Sequence, residues 1–245
     1  MQVFVFKTKE EAAKAAVSVF AAELMKKPNA IFGLATGSSP IPLYHEMIKL
    51  NKEGAMDFSK CRSWNLDEYV GLKPDHVCSY RRFMNEELFD HVNIDVANTH
   101  VPDGSNPDAA AACAEYDEVV ASAGYPDLQL LGIGNNGHIG FNEPDDHFSR
   151  GTHCVDLTES TIQANSRLFD SIDDVPRQAY TMGTQTIMYA RMIVVVANGE
   201  AKAQAVRDMC FGPVTPGCPA SILQLHTNCV VVADDAALSL CEGLY

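Results

Sequence analysis

Short apolar runs rich in β-branched residues alternate with amphipathic stretches from one end of the chain to the other. Residues 3–6 (VFVF), 30–35 (AIFGLA), 128–134 (LQLLGIG), 192–198 (MIVVVAN) and 229–234 (CVVVAD) are mainly apolar runs bounded by turn residues. Such runs predict strands buried on both faces, as in a parallel sheet. Between them, residues 10–27, 42–54, 79–92, 108–124 and 200–212 carry apolar side chains at helical spacing, the first opened by Thr8 or its neighbours. No internal repeat, low-complexity tract or linker interrupts this order. The alternation predicts one α/β domain over residues 1–245, with a mostly parallel sheet and helices on both faces. Ligands in such folds gather at the carboxyl ends of the strands, so the loops that follow strands carry the functional question.

Composition narrows the classes. The 245 residues are 47% hydrophobic, enough for one large core or two small ones. No run of about 18 apolar residues occurs, which argues against a membrane span. The opening stretch lacks the pattern of a secretory signal, so a cytoplasmic protein is expected. The eight cysteines form no C-x-x-C pair, which predicts reduced, mostly buried thiols rather than disulfides or a metal site. Lys and Arg number 18 against 32 Asp and Glu, a formal charge of −14. That balance argues against nucleic-acid and anionic-membrane partners, since phosphate contacts need clustered cations. A small anion held in a cleft remains compatible, because distant surface charge is screened.

Four loops could carry chemistry. After the second strand, Thr36, Gly37, Ser38 and Ser39 lead into a helix, and small residues there let backbone N–H groups approach an anion. No G-x-x-x-x-G-K-[ST] is present, so this is not a nucleotide P-loop, and an ordinary strand-to-helix turn is the plainer alternative. In SWNLDEYVGL, Asp67 and Glu68 follow a short strand, either as a solvated acidic turn or as a carboxylate base at a strand end. In GIGNNGHIGFNEP, Gly132, Gly134 and Gly137 have G-x-G-x-x-G spacing, with Asp156 at a fitting distance for a ribose contact. A dinucleotide site needs a helix after Gly137, however, and Gly140 and Pro144 interrupt one. The alternative is a loop presenting His138 beside Asn136 and Glu143, a histidine oriented to move a proton near neutral pH. Finally, Arg167 and Lys202 are either surface cations or phosphate clamps. Lys202 stands at a helix start, where the helix dipole disfavours a cation, which makes it the more suggestive of the two.

Taken together, these loops resemble the glucosamine-6-phosphate deaminase family. LATGSSPIPLY, NLDEYVGL, GIGNNGHIGFNEP, NSRLF and SILQLH stand in that family's order and spacing over nearly the whole chain. The related 6-phosphogluconolactonases share the fold but continue differently after the histidine and lack the LDEY element. The resemblance implies a Rossmann-like enzyme that takes a sugar phosphate and uses no cofactor or metal. It implies that glucosamine 6-phosphate and water become fructose 6-phosphate and ammonia. It assigns ring opening to His138 with Glu143 and Asn136, and proton transfer between C2 and C1 to Asp67. Phosphate binding falls to residues 36–39, Arg167 and Lys202.

Asn136 departs from the pattern, since many members carry Asp there and shorter ones carry Asn. The histidine then has one charged neighbour fewer, and the pH–rate profile is expected to shift. Regulated members are hexamers with a longer C-terminal tail, activated by N-acetylglucosamine 6-phosphate, whose phosphate is gripped by residues after FNEP. Here His153, Val155 and Asp156 occupy the positions of those Arg, Lys and Thr residues, with Arg150 a partial substitute, and the sequence ends at Tyr245. A monomer or small homo-oligomer without that activation is expected. Two rivals stay open: an isomerase or lactonase of the same fold, and a non-catalytic sugar-phosphate sensor.

Overall fold

The computed structural model describes residues 1–166 and 169–244. The first half of the chain runs through β1 (Gln2–Phe6), α1 (Lys9–Lys26), β2 (Ile31–Leu34), α2 (Ile41–Lys52), β3 (Arg62–Asn65), β4 (Asp67–Tyr69), α3 (Tyr80–Glu87), β5 (Thr99–His100) and α4 (Ala109–Ala123). It continues through β6 (Leu128–Leu131), β7 (His153–Asp156), α5 (Glu159–Asn165), β8 (Gln178–Thr181), α6 (Thr184–Met188), β9 (Ile193–Ala197), α7 (Ala203–Phe211) and β10 (Cys229–Asp234). Seven strands form one parallel sheet in the order β1-β10-β9-β6-β2-β3-β5. The apolar runs in its middle are buried on both faces, as in β2, β6 and β9. The run at residues 3–6 departs from that expectation, because β1 is an edge strand with Phe4 48% exposed. A parallel sheet needs helices over its faces, and an edge strand receives less of that cover.

Local chemistry explains the helix ends. Thr8 caps α1 by accepting from the Glu11 N–H at 3.2 Å, Ser79 caps α3 and Asp108 caps α4. Trp64, Phe20, Leu130 and Val195 lie in one core that joins the sheet to its helices. No disulfide occurs among the described residues; Cys61, Cys113, Cys229 and Cys241 are buried, and the other four cysteines are partly buried. Among the described residues, no helix is long and apolar enough to cross a membrane.

Two features place the site. The chain adds β3 and β5 on one side of β2, then returns to lay β6 on the other side, so the strand order reverses between β2 and β6. A crevice opens at the carboxyl ends of strands at such a reversal. The second feature is a small antiparallel sheet, β4-β8-β7, which the apolar pattern did not announce. The chain leaves the large sheet at Leu66, whose N–H donates to the Leu34 carbonyl at 3.2 Å, and joins the small one at Asp67, opposite Thr181. Asp67 is therefore the first residue of β4 and not the tail of the preceding strand.

Candidate active site

Four loops converge at the crevice because they follow the neighbouring strands β9, β6, β2 and β3. They line a cavity of about 470 Å³ with Thr36, Gly37, Ser38, Ser39, Asp67, Asn136, His138 and Lys202. The turn at residues 36–39 enters α2 with no side-chain cap, and its hydroxyls and early N–H groups suit an anion. Lys202 ends the short 3-10 turn Glu200–Lys202 ahead of α7. That turn is held by the Asp234 carboxylate at the end of β10, which accepts from the Gly199 N–H at 3.0 Å. Burial lowers the Lys202 pKa, and no carboxylate among the described residues offsets this, so the ammonium lacks a counter-ion that an anionic ligand could supply. Arg167 lies outside the described residues.

Asp67 is 5% exposed, and burial raises its pKa to about 8, helped by the neighbouring Glu68 charge and opposed by the Thr36 hydroxyl. Its Oδ1 has no hydrogen-bond partner among the described residues. A buried, under-solvated carboxylate of this kind is a strong proton acceptor once ionised. Glu68 points elsewhere, accepting from the backbone N–H groups of Tyr69, Tyr80 and Arg81 at 2.9–3.0 Å. Those bonds dock the start of α3 on β4 and bring Tyr80 to the cavity wall. Burial is the largest influence on Glu68 and raises its pKa despite these donors.

The loop after β6 settles the glycine question. No helix forms between Gly132 and β7, so the dinucleotide reading fails, and Asp156 is an exposed residue of the small sheet. Gly134 and Gly137 serve the loop itself. The His138 ring lies where a side chain on Gly134 would stand, and Gly137 has φ of +84° with Cys218 packed close against it. The Gly134 N–H donates to the His138 carbonyl at 2.9 Å, closing the turn. Beyond it, Phe141 N–H donates to Thr181 Oγ1 at 3.0 Å and Asn142 Nδ2 to the Met182 carbonyl at 2.9 Å. The small sheet thus holds both Asp67 and the histidine loop.

Glu143 Oε2 lies 3.4 Å from His138 Nδ1, at ion-pair distance but without the alignment of a hydrogen bond. Contacts of this kind are often loose without ligand and tighten when one binds. Asn136 Nδ2 donates to the same oxygen at 2.6 Å, while Thr161 Oγ1 donates to Oε1 at 2.5 Å. Burial alone would raise the Glu143 pKa, but His138, Thr161 and Asn136 outweigh it and hold it near 2. Glu143 is therefore ionised across the neutral range, and Asn136 grips the carboxylate in place of adding a second charge.

The structure brings nine of the ten expected site residues to one place, and the tenth, Arg167, lies outside the described residues. Sequence reasoning missed Thr161, Tyr80 and Phe141, which also line the cavity. Thr161 had a faint signal in the threonine-rich LTEST stretch that opens α5; the two aromatics had none.

These features define a class: a doubly wound α/β protein whose switch-point crevice joins an anion-receptive helix start to a carboxylate and to a histidine at ion-pair distance from a second carboxylate. Comparison with known proteins makes the assignment finer. The chain belongs to the family of glucosamine-6-phosphate isomerases/6-phosphogluconolactonase, whose model matches residues 7–232. It is 50% identical to the glucosamine-6-phosphate deaminase of Clostridium perfringens over 240 residues, covering 98% of this chain and 99% of that one. It is 48% identical to the enzyme of the same name from Halothermothrix orenii, covering 98% and 100%. A solved monomeric glucosamine-6-phosphate deaminase superposes with a TM-score of 0.95 at 42% identity, over 98% of this chain and 100% of that one. The 6-phosphogluconolactonase of Trypanosoma brucei shares the fold at TM-score 0.77 and 20% identity, over 98% of each chain.

Proposed function

We propose that this protein converts glucosamine 6-phosphate and water to fructose 6-phosphate and ammonia. The observation that carries the reading is the joint placement of Asp67, His138 and Lys202 around one cavity of about 470 Å³. A phosphate at residues 36–39 and Lys202, with Arg167 assigned the same task by resemblance, anchors the remote end of the sugar. That anchoring supplies the binding energy that positions C1 and C2.

The closed pyranose must first lose the proton of its C1 hydroxyl and gain one on the ring oxygen. His138, oriented by ionised Glu143, carries that proton. The open aldose then loses its C2 proton to Asp67, which returns one to C1, giving the ketose level. A single carboxylate over one face of an enediol-like intermediate performs both transfers. Asp67 must be ionised to begin, and the substrate's ammonium at C2 favours that ionisation by lowering a pKa that burial has raised. Water then adds to the imine-level C2 and ammonia leaves.

We assign the protein to the cytoplasm and to a monomeric or small oligomeric state. The monomeric solved relative at 42% identity supports the latter. The segment after FNEP supports an absence of N-acetylglucosamine 6-phosphate activation, since Val155 offers no donor and Asp156 is an exposed carboxylate. The deciding experiment is a coupled ammonia assay with glucosamine 6-phosphate, beside 6-phosphogluconolactone hydrolysis. Stoichiometric ammonia and fructose 6-phosphate are expected; lactone hydrolysis without ammonia would overturn the reading.

A further inference from the structure

We infer that Thr161, on the first turn of α5, is a positioning residue that acts through Glu143 to aim the carboxylate at His138 for ring opening. This rests on the proposed deaminase reading and adds to it a residue whose work is confined to one step.

The geometry divides the Glu143 carboxylate between two sets of partners. Oε2 takes the Asn136 amide at 2.6 Å and faces His138 Nδ1 at 3.4 Å. Oε1 takes the Thr161 hydroxyl at 2.5 Å, with the Thr158 hydroxyl a distant second donor at 3.4 Å. A carboxylate bonded on one oxygen alone still turns about its Cγ–Cδ bond. Donors on both oxygens fix its plane and therefore the direction of the oxygen that meets the imidazole. The Thr161 hydroxyl is itself held, because Thr158 Oγ1 donates to it at 3.0 Å and leaves its own proton for Glu143. Thr161 is 8% exposed and also lines the cavity, so its hydroxyl sits where little water competes for the carboxylate. Asp67, by contrast, belongs to β4 and shares none of these bonds. Loss of the Thr161 hydroxyl should therefore slow ring opening and spare the C2–C1 proton transfer.

The test compares wild type with Thr161→Val, which keeps the shape and removes the hydroxyl, and with Thr161→Ser, which keeps the hydroxyl. Thr161→Ala replaces the valine variant if that does not fold. Two substrates are used: glucosamine 6-phosphate, and its 4,5-dideoxy analogue, which lacks both hydroxyls able to close onto C1 and needs no ring opening. A lost hydrogen bond to a charged group corresponds to a fall in kcat of about 10- to 100-fold for Thr161→Val on glucosamine 6-phosphate. KM should change little, Thr161→Ser should restore most of the rate, and ammonia release from the open analogue should match wild type. Equal losses on both substrates would show a general structural role and overturn the inference, as would a serine variant no better than valine. Variants that match wild type on glucosamine 6-phosphate overturn the inference alone. A wild-type protein that releases ammonia from neither substrate overturns the deaminase reading and the inference with it.

Discussion

Replacing Asp67 by Asn should stabilise the protein while stopping turnover. Asp67 is 5% exposed, and its pKa rises from 3.8 to about 8 in the fold because burial disfavours the charge. The folded state therefore holds a proton that the unfolded chain releases between pH 4 and pH 8. A group raised in this way makes its full contribution below pH 4, and that contribution is lost as pH rises toward 8, at about 1.4 kcal/mol per pH unit. At pH 7, roughly three units above the ordinary carboxylate value, the wild type has lost at most ~4 kcal/mol relative to a neutral side chain of the same shape. Asn has that shape, keeps an oxygen for Thr36 and removes the repulsion with Glu68. Urea unfolding followed by fluorescence of the single tryptophan, Trp64, which is 1% exposed, measures both proteins from pH 4 to pH 9. The two should coincide near pH 4 and diverge steadily toward pH 8, with the variant higher. Parallel stability curves would refute the argument that Asp67 is held protonated by its surroundings. Turnover should vanish in the variant, and C2-proton exchange with solvent at the wild-type rate would show that Asp67 is not the base.

The remaining expectations concern the anchor, the loop, the core and regulation. Lys202→Ala and Arg167→Ala should each weaken binding of glucosamine 6-phosphate by roughly 1.5–3 kcal/mol, with little effect on unphosphorylated glucosamine; equal losses for both sugars would exclude a phosphate role. Gly134→Ala places a methyl group in the space of the His138 ring, so turnover should fall sharply while circular dichroism stays native; wild-type kinetics would show that the ring position is unimportant. Asp127 is 3% exposed and accepts from Lys27 Nζ and the Ile31 N–H at 2.7–2.8 Å. Asp127→Ala should cost about 1–3 kcal/mol in urea unfolding by leaving a buried donor unpaired. Rate curves should be hyperbolic with and without N-acetylglucosamine 6-phosphate; sigmoidal curves relieved by that sugar, together with a hexamer in light scattering, would contradict this.

Much of the architecture was legible because local rules and global fold agree. The runs at 30–35, 128–134, 192–198 and 229–234 are strands within one or two residues at each end, apart from the Gly132–Gly134 turn that belongs to the following loop. Thr8 announced its helix, and the failure of a helix after Gly137 was readable from Gly140 and Pro144. The small sheet was not legible. Its strands β4, β7 and β8 are only three or four residues long, too short to display an alternation. The Thr161 hydroxyl gave only a faint signal, since a threonine in the first turn of a helix serves capping far more often than catalysis.

The sequence by itself determined the chemistry on offer: a carboxylate just beyond one strand, a histidine with an amide and an acid in one loop, hydroxyls before a helix and a lysine at another helix start. These are local facts, set by which side chains lie within a few residues of one another. Only the tertiary structure decided what those groups become. Strand order placed β9, β6, β2 and β3 side by side, so that four distant loops share one cavity. Burial, a property no single segment owns, raised the pKa of Asp67 to about 8, while His138, Thr161 and Asn136 held that of Glu143 near 2. The two carboxylates are chemically alike along the chain, and they differ because the fold surrounds one with apolar neighbours and a like charge and the other with donors.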